Sequence, residues 1–184
     1  MDKTVYLVLL RGINIGGNNI IKMDELKRLF EAMEFSNVTT YIQSGNVLCT
    51  AVERDKIKLT EKIEAVLFER LNRVVKVSAL SLHELREVIT EKPQGFGDDD
   101  ENYKYDVVFL IEPLTANEAV KHFSTKDGVD TVYKGKNAVY FRRVKEHYRK
   151  SYFSKIAGSP IYQNITIRNW NTTKKLYELT AEIT

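Results

Sequence analysis

Apolar residues along this chain switch between short continuous or alternating runs and longer stretches spaced three to four apart. Thr4 to Leu10 is a compact apolar run rich in β-formers, which predicts a buried strand ending where Arg11-Gly12 opens a loop. From Asp24 onward, Leu26, Leu29, Phe30 and Met33 recur at helical spacing, with Asp24 and Glu25 in the first turn, where the helix dipole favours negative charge. Val38 to Ile42 and Asn46 to Thr50 are β-rich runs around Gln43-Ser44-Gly45, a hairpin pattern. Ile57, Ile63, Val66, Leu67 and Leu71 mark a second amphipathic helix, and Val74 to Val77 a fourth short strand.

The order strand, helix, strand, strand, helix, strand is the βαββαβ order of ferredoxin-like units. It recurs after a helix over Leu82 to Ile89 and an acidic, glycine-containing stretch, Pro93 to Asn102, expected to be a linker. Lys104 to Ile111 predicts a strand, Ala116 to Phe123 a helix, and Val129 to Tyr133 with Ala138 to Arg143 a hairpin turning at Lys136-Asn137. Tyr148 to Ala157 is expected as the matching second helix, Ile165 to Ile167 as a vestigial last strand, and Thr172 to Ile183 as an appended terminal helix. The expected fold is therefore α+β, two tandem ferredoxin-like units with mainly antiparallel sheets and a C-terminal helix. Residues 1–80 form the first unit, 81–102 the connecting helix and acidic linker, and 103–184 the second unit. In such a unit strands one and two run parallel, so the loop after Leu10 and the hairpin after Ile42 share one end of the sheet.

Composition narrows the class without naming a reaction. Of the 184 residues, 43% are hydrophobic and 29% charged, which is the balance of a globular protein with a core rather than of a disordered chain. No apolar run approaches the roughly 18 residues needed to span a bilayer, and the N-terminal run is too short for a signal peptide. A lone cysteine, Cys49, forms no internal disulfide and no multi-cysteine metal site, so a cytoplasmic setting is expected and no membrane partner. The net charge of +3 hides an uneven distribution: residues 81–133 hold twelve acidic and five basic side chains, whereas 134–175 hold eleven basic ones against Glu146 alone. Such asymmetry serves either an anionic partner or complementary surfaces inside the fold.

Three motifs stand out: Leu9-Leu10-Arg11-Gly12-Ile13-Asn14-Ile15-Gly16-Gly17, Tyr41-Ile42-Gln43-Ser44-Gly45-Asn46-Val47 and Thr166-Ile167-Arg168-Asn169-Trp170-Asn171-Thr172. Together with Met23-Asp24-Glu25-Leu26 and Ser151, they make the chain resemble, over essentially its whole length, a widespread uncharacterised bacterial family. The resemblance implies the tandem ferredoxin-like fold and no activity. Ile167 stands where that family usually has a second threonine, and Tyr148-Arg149-Lys150 precedes Ser151 where glycine is common. The second departure weakens any backbone cradle near Ser151.

Candidate chemistry concentrates at the shared end of the first sheet. Arg11, Gly12, Asn14, Gly16 and Gly17 from the loop, with Gln43, Ser44, Gly45 and Asn46 from the hairpin, offer a charged donor, amides and close backbone approach to a small anionic ligand. Gly12 and Gly17 have P-loop spacing, but Asn18-Asn19 replace the Lys-Ser or Lys-Thr that bind phosphate and magnesium, and the dinucleotide glycine pattern is absent. Turn chemistry alone also accounts for the hairpin residues. Ser44 has no base at a recognisable spacing, and His83, His122 and His147 are isolated, so no metal, cofactor or catalytic residue is assigned. Arg168, Asn169, Trp170 and Asn171 concentrate recognition chemistry, while Asn169, Asn171 and Thr172 are equally good helix N-caps. The alternative partner is nucleic acid, held by Arg142, Arg143, Arg149, Lys150 and Lys155 among interleaved aromatics, although the paired aromatics of RNA-binding sheets are missing. Tyr140 and Phe141 are adjacent on a strand and must face opposite ways. An enzyme of unknown reaction remains a third class.

Overall fold

The computed structural model describes residues 3–14 and 20–183. The chain divides into two compact units, Met1–Leu85 with Lys175–Thr184, and Arg86–Lys174. Each contains one four-stranded antiparallel sheet.

The first unit is built from β1 (Thr4–Leu10), α1 (Met23–Ala32), β2 (Ser36–Tyr41), β3 (Asn46–Ala51), α2 (Lys56–Leu71) and β4 (Val77–Ser81), in the strand order β2-β3-β1-β4. Alternation puts Tyr6, Val8 and Leu10 of β1 on the face that meets Leu26 and Phe30 of α1 and Leu59, Ile63 and Leu67 of α2. The opposite face is also dry, with Leu7, Leu9, Leu48 and Leu80 buried, so β3 is buried along its whole length. Asp55 starts α2 by accepting from the Ile57 and Lys58 amides at 2.9 and 3.3 Å, and Asn72 ends it in the left-handed region. Ile57, expected on the buried stripe, is exposed, and Leu59 takes its place. The fourth strand lies three residues later than Val74 to Val77 predicted, because pairing with β1 recruits Ser78, Ala79 and Ser81, which carry little strand propensity of their own.

The second unit uses β5 (Tyr103–Leu110), α4 (Ala116–Ala119), β6 (Asp130–Lys134), β7 (Ala138–Val144) and β8 (Ile165–Asn169), in the order β6-β7-β5-β8. Helix α3 (Leu82–Thr90) precedes it and α5 (Trp170–Thr180) follows β8, and the unit boundaries fall inside both. One sheet face packs Val108, Val139 and Ile165 against Ala116, Ala119, Ile156 and Ile161. The other gathers rings around Phe96, which meets Tyr105, Tyr140 and Trp170 edge-on at 4.8, 5.1 and 5.5 Å. Tyr140 and Phe141 do face opposite ways: the Tyr140 hydroxyl donates to Val88 O at 2.8 Å, while the Phe141 ring packs on Phe153 at 4.6 Å.

Two sequence expectations change here. Tyr148 to Ala157 is not an α-helix but two 3-10 turns, Tyr148–Lys150 and Phe153–Gly158, and a third follows at Tyr162–Asn164. Phe153 and Ile156 are three apart, the period of a 3-10 helix, and the Ser151 hydroxyl and Asp130 carboxylate capture the Phe153 and Tyr152 amides that an α-helix would need. The last strand is no vestige: all five residues of β8 pair with β5. Among the described residues no helix is long and apolar enough to cross a membrane.

Candidate functional site

In the first unit the chain leaves β1 through Gly12, whose φ of 68° is left-handed, and is clamped on both sides. The Leu10 amide donates to Gly45 O at 2.8 Å, and the Arg11 amide to Lys76 O at 2.9 Å. The hairpin lies so close that a Cβ on Gly45 would stand 2.6 Å from Ile13 Cδ1 and 2.9 Å from Leu10 Cβ; no larger residue fits there. Asn14, also left-handed, ties the loops together. Its Nδ2 donates to Ile21 O at 3.0 Å and to Gln43 O at 2.9 Å, while its Oδ1 accepts from the Ile21 amide at 2.8 Å. Asn46 is fully buried and donates to Tyr41 O and Ser44 Oγ, both at 2.9 Å.

The two asparagines therefore hold the shape of this end of the sheet. Arg11, Gly12 and Ser44 are half-buried, Gly45 is buried and Gln43 is exposed. Gly16 and Gly17 lie outside the described residues. An amide donor on Ser44 Oγ cannot remove its proton, so the contact with Asn46 does not make it a nucleophile. Cys49 is wholly buried, and burial pushes its thiol up to about 12, so it stays protonated. Among the described residues no three His, Cys, Asp or Glu side chains come together as a metal site.

Arg168, Asn169 and Trp170 belong to the second unit, whereas the Arg11 and Gln43 candidates belong to the first. Arg168 is 8% exposed; burial lowers its guanidinium to about 10, still charged at neutral pH, and its Nη1 donates to Thr166 Oγ1 and Ile167 O at 2.8 and 2.9 Å. Trp170 is 4% exposed and packs on Phe96, so its ring is core rather than a stacking platform. Asn169 caps α5, its Oδ1 accepting from the Thr172 amide at 2.7 Å.

The basic segment spends several of its cations inside the second unit. Arg143 pairs with Asp106, Lys136 with Glu87, and Lys145 donates to Asp100 O. Arg142 lies over the Tyr103 ring at 4.6 Å and donates to Thr131 Oγ1 at 3.2 Å. Arg149, Lys150 and Lys155 are exposed, the last with its Nζ 3.2 Å from the Tyr152 centroid. Within the same unit, β8 ends at Asn169 while β5 continues, leaving a cleft of about 390 Å³ lined by Tyr103, Lys104, Asp106, Arg143, Lys145 and Asn171, with Trp170 and Asn169 on its wall. Sequence reasoning missed Lys104 and Lys145, and read Asn171 only as part of the Arg168 to Thr172 motif. Their one signal was the pairing of an acid and a base, Asp106 and Arg143, on neighbouring central strands.

The same fold is seen in the solved structure of the conserved bacterial protein SP0830 from Streptococcus pneumoniae, with a TM-score of 0.85 and 29% identity over 97% of this chain and 99% of that one. No curated protein matches the chain. A family model described as a protein of unknown function (DUF1697) matches residues 3–140, and the chain belongs to that family.

Proposed function

We propose that the chain is a binding protein for a small anionic ligand, taken up at the end of the first sheet by Arg11, the backbone of Gly12 and Gly45, and the Gln43 and Ser44 side chains. The observation that carries this reading is the Asn14 amide, which bridges the Arg11 loop and the Gln43 hairpin and so fixes two polar loops against each other. Asn14 and Asn46 act as positioning residues. A preset pair of loops lowers the ordering cost of binding, and Arg11 supplies charge to a carboxylate or phosphate. The order β2-β3-β1-β4, repeated as β6-β7-β5-β8, supports a ferredoxin-like assignment for each unit.

A thermal-shift screen of inorganic phosphate, nucleotides and small carboxylates tests the function. At least one is expected to raise the melting temperature of the native chain, and Arg11→Ala to abolish that rise. No rise with any compound, or a rise that Arg11→Ala leaves intact, refutes it.

A nucleic-acid surface is the second reading, favoured by the exposure of Arg149, Lys150 and Lys155 beside Tyr148 and Tyr152. Arg142 and Arg143 contribute less to it, since both already face protein partners. Salt-sensitive binding to single-stranded RNA, lost in the triple glutamine variant of those exposed cations, is its signature.

A further inference from the structure

The cleft at the end of β8 has the makings of a site of its own. Its floor is the Arg143–Asp106 pair, whose side chains are only 17% and 13% exposed. Arg143 is fixed from two directions, by Asp106 at Nη2 and by the Phe153 ring 4.5 Å from its Cζ, and its buried Nε makes no hydrogen bond within the protein. Asp106 is thereby engaged through Oδ2. Desolvation dominates at that carboxyl and raises it despite Arg143, a further sign that the floor is dry.

The walls offer mainly donors. Lys104 reaches up from β5 with its Nζ 4.3 Å from the Tyr148 centroid, and Lys145 from the chain just beyond β7. Opposite them stand Asn169 and Asn171 at the junction of β8 and α5. Because Asn169 Oδ1 is committed to the Thr172 amide, its NH₂ is the half left to meet a ligand. The opposing charge is Asp100 on the rim, so three cations face two carboxylates, one of which is already paired. Tyr103 adds apolar surface, with the buried Trp170 behind the wall. A volume of about 390 Å³ holds more than a bare oxyanion and suits a small metabolite.

We propose that this cleft is a second binding site, for a small molecule carrying a phosphate or carboxylate on a compact apolar or aromatic body. The oxyanion sits between Lys104, Lys145 and the two asparagine amides, and the body lies toward Tyr103. Lysines supply point charges suited to either anion, and the amides fix its direction. The site does not depend on the Arg11 loop.

Titration calorimetry of the full chain with inorganic phosphate, phenyl phosphate and benzoate, at about 150 mM salt to screen diffuse attraction, tests this. Phenyl phosphate or benzoate is expected to bind saturably and at least threefold more tightly than inorganic phosphate, with the choice between the two naming the anion. Lys104→Gln with Lys145→Gln is expected to weaken binding at least tenfold. Both lysines are exposed, so an unchanged melting temperature checks that this variant folds. The Lys104- and Lys145-dependent binding is expected to persist in Arg11→Ala, whatever that variant does to binding at the first-unit site, and in Arg149→Gln with Lys150→Gln, which separates this site from the first-unit site and from general surface charge. In amide NMR spectra the Asn169 and Asn171 side chains and the Trp170 indole should move on titration. Absence of saturable binding by all three probes, or binding indifferent to the Lys104 and Lys145 changes, overturns the proposal.

Discussion

At the scale of single residues, two backbone positions carry costs that the sequence does not advertise. Ile42 adopts a φ of 46° at the mouth of the hairpin and is 48% exposed. A β-branched side chain in the left-handed region is strained, and asparagine tolerates the same conformation far better. Ile42→Asn is therefore expected to stabilise the protein by roughly 0.5 to 1 kcal/mol, net of some lost burial, read as a higher denaturant midpoint. A lower midpoint would mean that the Ile42 side chain is worth more than its strain. Gly97 presents the opposite case. Its φ is 82°, and a Cβ there would stand 2.1 Å from Trp170 Nε1, whereas Gly95, with φ 73°, has open space around it. Gly95→Ala is expected to cost about 1 kcal/mol for backbone strain alone. Gly97→Ala should cost about 2 to 3 kcal/mol, because a buried indole must also shift. Equal losses in the two variants would show that the Trp170 packing yields easily.

At the scale of elements, the start of α3 is a compact electrostatic device. Glu84 Oε2 accepts from the Ser81 amide at 2.8 Å and the Ser81 hydroxyl at 2.9 Å, Ser81 Oγ accepts from the Glu84 amide at 3.3 Å, and Lys56 Nζ reaches Glu84 Oε1 at 2.6 Å. Burial alone would raise this carboxyl, but the Lys56 and Ser81 bonds outweigh it and hold it below the usual range. The stabilisation is thus complete above the unfolded-state value near ~4.3 and is lost as pH falls through the lower folded value. Glu84→Gln is expected to destabilise by about 1 to 2 kcal/mol at pH 7 and by much less near pH 3. A difference that does not change with pH would remove the charge from the explanation. Elements with strong periodicity, such as β1 and α1, were legible from the sequence because Leu7 to Leu10 and the Leu26 and Phe30 pair are decided by local pattern. The Tyr148 to Ala157 stretch was not. Its shape is set by Asp130, a residue 22 positions from the Tyr152 amide it captures, and no local period encodes that. The convergence of the Arg11 loop with the Gln43 hairpin followed from strand direction alone. The structural duty of Asn14 and Asn46, and the cleft made by Lys104, Lys145 and Asn171, depend on side-chain contacts that strand order leaves open.

At the scale of the whole molecule, the chain crosses between its two units after Leu85 and after Lys174, and both crossings fall inside helices, α3 and α5. When one unit opens, the part of α3 or α5 that lies in it must fray or stand alone, and a helical remnant shorter than about ten residues has little stability by itself. Unfolding is therefore expected to be a single transition. The protein carries its own probes for this. Cys49, its one cysteine, lies at the centre of the first sheet, fully buried and with its thiol raised to about 12, so it should react with a thiol reagent only when that unit opens. Trp170, its one tryptophan, is packed on Phe96 in the second unit, and its fluorescence should change when that unit opens. In a guanidinium titration the two signals should share one midpoint, and Gly97→Ala, which disturbs only the Trp170 packing directly, should lower both together. If the tryptophan signal moves to lower denaturant while Cys49 protection stays where it was, the crossings do not couple the units and each half folds as a domain in its own right.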